Sequence, residues 1–485
     1  MEAKHPQVIV IGAGMSGILA GIRLKHAGID DFVLYEKNSK PGGTWVENSY
    51  PGLTCDVPSH LYSYSFEPNP EWSHRFSPGP EIQRYFEGVA EKYGVTDAIV
   101  CNREVTRCEW QEGRWHVETS DGNHEVADFV IAATGALHHP NVPDFEGLDR
   151  FQGAAFHSAR WNHEVPIEGR RVGVIGTGST AVQIVTTITR RVAALTLFQR
   201  TAQWIFPNVN PAYSEEEKAV YRSDPQALAS LRADLDKAFA GAFSDALIDY
   251  QSDGMQAIET ACRQHLEERV LDPELRERLR PDYRAACKRL VIADGFYEAL
   301  QQPNASLVTS GIERIEEAGV RTRDGQLHEL DVLVLATGFR AHDFVRPMRV
   351  SGRGGRKLED AWSPVPRAYR SVSMPDFPNF FMVIGPHSPI GNFSLIDISE
   401  LQVGYILQLI DEVRRGACRE ICASEDATGR FNEALGEAMK NTIWASGCHS
   451  WYLDANGVPA TWPWTVEQFR HEMQRPELTD FDRVA

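Results

Sequence analysis

Val8-Ile9-Val10-Ile11-Gly12-Ala13-Gly14-Met15-Ser16-Gly17 is the stretch whose reading decides the fold. Four β-branched apolar residues predict a buried strand, and the run from Ile18 to Ala27 predicts a helix. Between them the glycines fall as GxGxxG: Gly12 permits the tight turn, Gly14 lets a pyrophosphate approach the backbone, and Gly17 lets helix and strand pack closely. The phosphate then faces a helix N-terminus, where unpaired N–H groups and the dipole favour an anion. A second strand, Phe32-Val33-Leu34-Tyr35, ends at Glu36, 24 residues after Gly12, where a carboxylate can accept hydrogen bonds from a ribose diol.

The pattern returns once. Val172-Gly173-Val174-Ile175 leads into Gly176-Thr177-Gly178-Ser179-Thr180-Ala181, a GxGxxA variant, and a helix is expected to about Arg190. The strand Leu195-Thr196-Leu197-Phe198 then ends near Arg200, again 24 residues after the first glycine, followed by Thr201. A carboxylate would repel a 2′-phosphate, whereas a guanidinium takes it in a bidentate fork. The first unit therefore suits FAD and the second NADPH; the plain alternative for Arg200 is a solvated arginine at a strand end. Two further expected strands, Phe129–Ala132 and Val332–Leu335, run into Ala-Thr-Gly at Ala133–Gly135 and Ala336–Gly338, each arriving at a nucleotide.

Between Phe206 and Tyr283 strand alternation and glycine loops give way to helical spacing, as in Ala227–Ile248 and Met255–Val270, with a capping box at Ser214 and Glu217. The expected fold is α/β, with two Rossmann-like dinucleotide-binding domains and a helical insertion. Residues 1–145 and 340–485 are expected to bind FAD and residues 146–205 and 286–339 NADPH, with 206–285 inserted in the latter.

Composition sets the outer bounds. In 485 residues, hydrophobic side chains make up 42% and charged ones 24%, an ordinary globular balance. A formal charge of −18 argues against nucleic-acid binding, which needs clustered cations. No apolar run reaches the roughly 18 residues of a membrane span, and the stretch before Val8 lacks the features of a signal peptide, so no membrane anchor is expected. The cysteines (Cys55, Cys101, Cys108, Cys262, Cys287, Cys418, Cys422 and Cys448) form no CxxC and no paired metal spacing. The expectation is a reduced, cytoplasmic protein without a metal site. Oligomeric state is not legible.

Three further stretches carry a resemblance. Gly42-Gly43-Thr44-Trp45-Val46-Glu47-Asn48-Ser49-Tyr50-Pro51-Gly52-Leu53-Thr54-Cys55-Asp56 resembles the GGxWxxxxYPGxxxD stretch of Baeyer–Villiger monooxygenases. Phe151 to Trp161 resembles their FxGxxxHxxxW fingerprint, departing at Asn162, where the family usually has proline or aspartate. Cys287-Lys288-Arg289-Leu290, with Gly295-Phe296-Tyr297-Glu298 after it, looks like the segment holding the family's active-site arginine.

The resemblance implies an NADPH- and O2-dependent flavoprotein that inserts oxygen next to a ketone carbonyl by way of a C4a-peroxyflavin. It implies FAD contacts from Thr44, Trp45, Asp56, Tyr62 and Val105. It implies NADPH contacts from Thr54, Gln183 and Trp451, and Lys288 joining Arg200 and Thr201 around the 2′-phosphate. Arg289 would be the catalytic cation stabilising negative charge, with Asp56 orienting it; their pairing rests on the resemblance alone. His157 reads as a linker between domains or as a satisfied structural histidine. The nearest rival is a flavin-containing monooxygenase oxidising nitrogen or sulfur, which does not require Arg289. A disulfide reductase would need a redox cysteine pair, yet Ser59 and His60 follow Cys55 at four and five places. A non-catalytic nucleotide-binding flavoprotein is a further alternative.

Overall fold

The computed structural model describes residues 7–485; the expected lack of a leader before Val8 concerns residues 1–6, which lie outside the described residues. Two five-stranded parallel sheets organise the chain. In the first, the strand order is Phe380–Met382, Phe129–Ala132, Val8–Ile11, Phe32–Tyr35 and Ile99–Val100. In the second it is Ala154–His157, Val332–Leu335, Arg171–Ile175, Ala194–Phe198 and Ala305–Val308. The two orders match element for element. In each, the strand feeding the glycine loop is central, with the Ala-Thr-Gly strand on one side and the strand ending near Glu36 or Arg200 on the other. Such strands are buried on both faces, which is why Val8–Ile11, Phe129–Ala132 and Val332–Leu335 are apolar throughout.

Close backbone approach explains the glycines. Gly12 (φ +99) and Gly176 (φ +119) are left-handed, and a Cβ on them would lie 2.6 Å from the Ala133 carbonyl oxygen and 2.2 Å from that of Ala336. The Ala-Thr-Gly strands thus press their carbonyls onto the first glycine of each loop. A Cβ on Gly17 would fall 1.9 Å from the Gly12 carbonyl oxygen, so the helix can start there only with glycine. The helices that follow, Met15–His26 and Ser179–Ile188, begin within a residue or a few of the expected positions.

Each sheet carries an antiparallel meander: Val105–Gln111, Arg114–Thr119 and His124–Ala127 in one half, Ile312–Glu316, Gly319–Thr322 and Leu327–Glu329 in the other. The helical block lies between two short strands, Ile205–Pro207 and Val291–Ala293, which pair in parallel and so bring its entry and exit together. Its capping box at Ser214 and Glu217 is formed. The expected Ala227–Ile248 helix is interrupted: Pro225–Lys237 is α-helical, Ala238–Ser244 widens to a π-helix, and Asp245–Ile248 resumes. Met255, Ile258 and Cys262 of this block pack with Cys287 and Leu290 and with Trp444, Cys448 and Tyr452 of the C-terminal part.

This packing corrects one expectation. Cys287 and Cys448 are joined in a disulfide across 161 positions, so the chain is not uniformly reduced. Local spacing rules cannot detect a bridge made by tertiary proximity; the other six cysteines are free. No described helix is long and apolar enough to cross a membrane.

A crosslink closing so long a loop contributes about 2–4 kcal/mol. Cys448→Ser is therefore expected to lower Tm by a few degrees in scans without reductant. A strong reductant should close that gap, and a gap that persists would mean the substitution acts by packing.

Candidate active site

At both glycine loops the helix starts on a glycine with no side-chain cap and no acid in its first turn. The insertion helices starting after Ser214, Asp224, Ser252 and Asp272 are all capped by a side chain. The first N–H groups of the two loop helices are thus left for an anion. A Cβ on Gly178 would meet nothing within 4 Å, so that face of the second loop is open. Glu36 is buried; its carboxylate accepts from the backbone N–H of Ala13 in the loop and of Asn38, both at 2.8 Å. These residues fit a dinucleotide at each loop.

The stretch from Gly42 to Asp56 joins the two units. Gly43 packs backbone to backbone on Gly14, with 3.0 Å between a Cβ built on the former and the latter's Cα. Thr44 and Trp45 open the short helix Thr44–Glu47 directly after this contact. Trp45 Nε1 donates to Tyr62 Oη (3.3 Å), and Tyr62 donates to Met15 Sδ (3.4 Å) at the start of the first loop helix. Farther along, Gly52 (φ +85) lies against the second loop helix, where a Cβ would meet Thr187 Oγ1 at 2.1 Å. Gln183 of that helix accepts from Tyr50 Oη (2.8 Å) and donates to the Thr54 carbonyl and hydroxyl (3.1 Å each). Burial pushes the Tyr50 phenol up to about 12, keeping it a donor.

This bridge delivers Asp56 to Arg289. Arg289 Nη2 donates to Asp56 Oδ2 at 2.5 Å, with the side chains 28% and 26% exposed. Burial opposes the guanidinium charge, but Asp56 and the Tyr452 hydroxyl outweigh it and raise the pKa above its ordinary value. The residues expected to hold a 2′-phosphate also converge. Arg200 is exposed, and the Thr201 carbonyl accepts from Thr177 Oγ1 at 2.7 Å. Lys288 lies 4.7 Å from the Tyr283 ring centroid, and its pKa is lowered by burial and then by the charge of Arg200. Two cations that repel one another favour an anion between them.

The Trp451 ring lies tilted by 30° against that of Tyr452 with centroids 4.1 Å apart, and the Trp451 carbonyl accepts from His342 Nε2 at 2.8 Å. Val105 is buried in the core beneath the first sheet. His157 uses both ring nitrogens: Nδ1 accepts from the Ala159 N–H and Nε2 donates to the Gly338 carbonyl, 3.1 Å each. Burial lowers its pKa, so it is a neutral tie from the fingerprint segment to the second Ala-Thr-Gly turn. Tyr452 and Gly391, both against Arg289, were missed because no local pattern points to either; the only cue was adjacency to Trp451.

Residues 9–222 match the family described as pyridine nucleotide-disulphide oxidoreductase. A Baeyer–Villiger monooxygenase of Streptomyces coelicolor is 40% identical over 99% of this chain and 92% of its own length. The chain belongs to the Baeyer–Villiger monooxygenases. An uncharacterized monooxygenase of Mycobacterium tuberculosis is 46% identical over 100% of this chain and 98% of its own. Cyclohexanone monooxygenase from Rhodococcus sp. Phi1 bound to NADP+ superposes with a TM-score of 0.87 at 30% identity, covering 99% of this chain and 100% of that one. Against this Baeyer–Villiger frame, the disulfide-oxidoreductase description reflects the shared fold, since Cys55 is free and buried.

Losing one charge-assisted hydrogen bond costs about 1.5–3 kcal/mol, and each 1.4 kcal/mol is about tenfold. Arg200→Ala is expected to lower kcat/KM for NADPH roughly ten- to a hundredfold and to spare NADH, which has no 2′-phosphate. Equal losses with both coenzymes would make Arg200 a structural residue.

Proposed function

We propose that this chain inserts one atom of O2 next to a ketone carbonyl, giving an ester or lactone, with Arg289 as the catalytic cation and Asp56 as its orienting partner. FAD and NADPH are the cofactors. Bound FAD, reduced by NADPH, supplies the oxygen-activating chemistry. The overall balance is ketone, O2, NADPH and a proton going to ester, water and NADP+. The observation that carries this reading is the Arg289–Asp56 pair, closed at 2.5 Å across 233 positions.

A fixed guanidinium stabilises the negative charge that develops on a ketone oxygen when a nucleophilic oxygen adds to its carbon. It does so best in a site that excludes water, and the insertion packed over the Arg289 segment serves that end. Asp56 holds the planar fork in place. A purely electrophilic oxidation of nitrogen or sulfur gains nothing from such a cation, so that alternative is not favoured.

The first glycine loop with Gly12, Gly14, Gly17 and Glu36 is assigned to FAD, together with Thr44, Trp45, Asp56, Tyr62 and Val105. The second, Gly176 to Ala181, is assigned to NADPH with Thr54, Gln183, Arg200, Thr201, Lys288 and Trp451. The matched strand orders support FAD on residues 1–145 and 340–485 and NADPH on 146–205 and 286–339, with 206–285 as the covering insertion. The need for NADPH supports a cytoplasmic location, and burial of Cys287 and Cys448 shields their bridge from soluble thiols.

Purified enzyme given NADPH, 18O2 and a panel of linear, cyclic, aryl and polycyclic ketones is expected to form an ester or lactone carrying one labelled atom. Sulfoxide from a thioether with no ester from any ketone would overturn the reading. Arg289→Ala is expected to keep NADPH consumption while ester formation is lost. Arg289→Lys should recover only part of it, because a point charge lacks the planar donor fork.

A further inference from the structure

Arg289 has polar neighbours on two sides. Its Nη2 donates to Asp56, and on its Nη1 side lies the Tyr452 hydroxyl, whose presence favours the charged guanidinium. A guanidinium has no acceptor, so in any hydrogen bond between the two the phenol oxygen would receive and its own hydrogen would stay outside. Gly391 (φ +103) shows how closely the groups converge: a Cβ there would lie 2.0 Å from Tyr452 Oη and 2.9 Å from Arg289 Nη1. The Gly391 backbone therefore closes over the pair, in a turn where a side chain has no room.

The phenol is itself firmly placed. Tyr452 is 3% exposed, with its ring 5.6 Å from that of Trp444 and 4.1 Å from that of Trp451. Behind it, the Cys287–Cys448 disulfide joins the segment two residues before Arg289 to the segment four residues before Tyr452. The backbone carrying the cation and the backbone carrying the phenol are thus one covalent unit.

We propose that Tyr452 is a positioning residue for Arg289, its hydroxyl holding the guanidinium against Asp56 in a single orientation. The role builds on the oxygenation reading above, since orientation matters only if the cation faces a reacting oxygen. The phenol adds no charge, and arginine stays protonated with or without it. What it adds is direction. Asp56 alone leaves the long side chain free to swing about one contact, and a small misplacement of a charge-stabilising group costs a large factor in rate.

Tyr452→Phe in the FAD-loaded enzyme removes one oxygen and keeps the ring. The ester formed per NADPH consumed is expected to fall about tenfold, the size of one lost hydrogen bond to a charged group. A crystal structure of the same variant should show the Arg289 guanidinium turned away or split between orientations. In an Arg289→Lys background, which has no fork to orient, Tyr452→Phe should change coupling by less than about twofold. A guanidinium unmoved in the variant crystal overturns the proposal whatever the rates. So does wild-type coupling beside a displaced guanidinium, or a full tenfold loss in the lysine background. If the wild type forms no ester from any ketone, the oxygenation reading falls, and the crystal structure still decides whether Tyr452 positions Arg289.

Discussion

A guanidinium and a carboxylate that begin 233 positions apart meet at 2.5 Å, and much of the surrounding architecture serves to keep them together. Removing one member of a buried ion pair costs about 3–5 kcal/mol, because the remaining charge is left without a partner. This pair is partly exposed, so its contribution to stability is smaller, but the constraint on geometry is the same. Asp56 ends a stretch tied to both glycine-loop helices, through Gly43 on Gly14 and through Tyr50 and Thr54 on Gln183. Arg289 sits where the chain leaves the helical insertion, and a disulfide two residues earlier secures that exit to the C-terminal segment.

The two nucleotide units use the same physical device twice. A central strand ends on a glycine whose left-handed backbone clears a neighbouring alanine carbonyl, and the next helix starts without a cap. The uncapped N–H groups are a cost in the protein alone, repaid when a phosphate arrives. The units differ at one point, the end of the following strand. Glu36 there accepts from its own loop, whereas Arg200 has Lys288 as a like-charged neighbour. Under the proposed assignment, opposite charge at this position is what distinguishes the FAD unit from the NADPH unit.

The helical insertion packs beside the segment that carries Arg289. Its entry and exit strands pair, so the 83 residues from 208 to 290 can be inserted without parting the second unit. Its apolar face packs on the Arg289 segment and on the loop carrying Trp451 and Tyr452. The π-helical stretch Ala238–Ser244 falls where helical spacing alone predicts a continuous helix. Periodicity reports which face is apolar, and it cannot register the one extra residue per turn that a π-helix accommodates.

By itself the sequence determined everything that depends on neighbours along the chain: both strand–glycine–helix units, the Glu36 and Arg200 contrast, the Ser214 capping box and the helical texture of the insertion. Resemblance to a family extended this to Asp56 and Arg289, though nothing local showed that they touch. Tertiary structure alone decided the Asp56–Arg289 contact, the Cys287–Cys448 bridge, the Tyr452 and Gly391 closure, and the engagement of both His157 nitrogens. The reason is physical. Strand and turn preferences come from sterics within a few residues, whereas these contacts arise from packing between segments whose separation leaves no trace in local spacing.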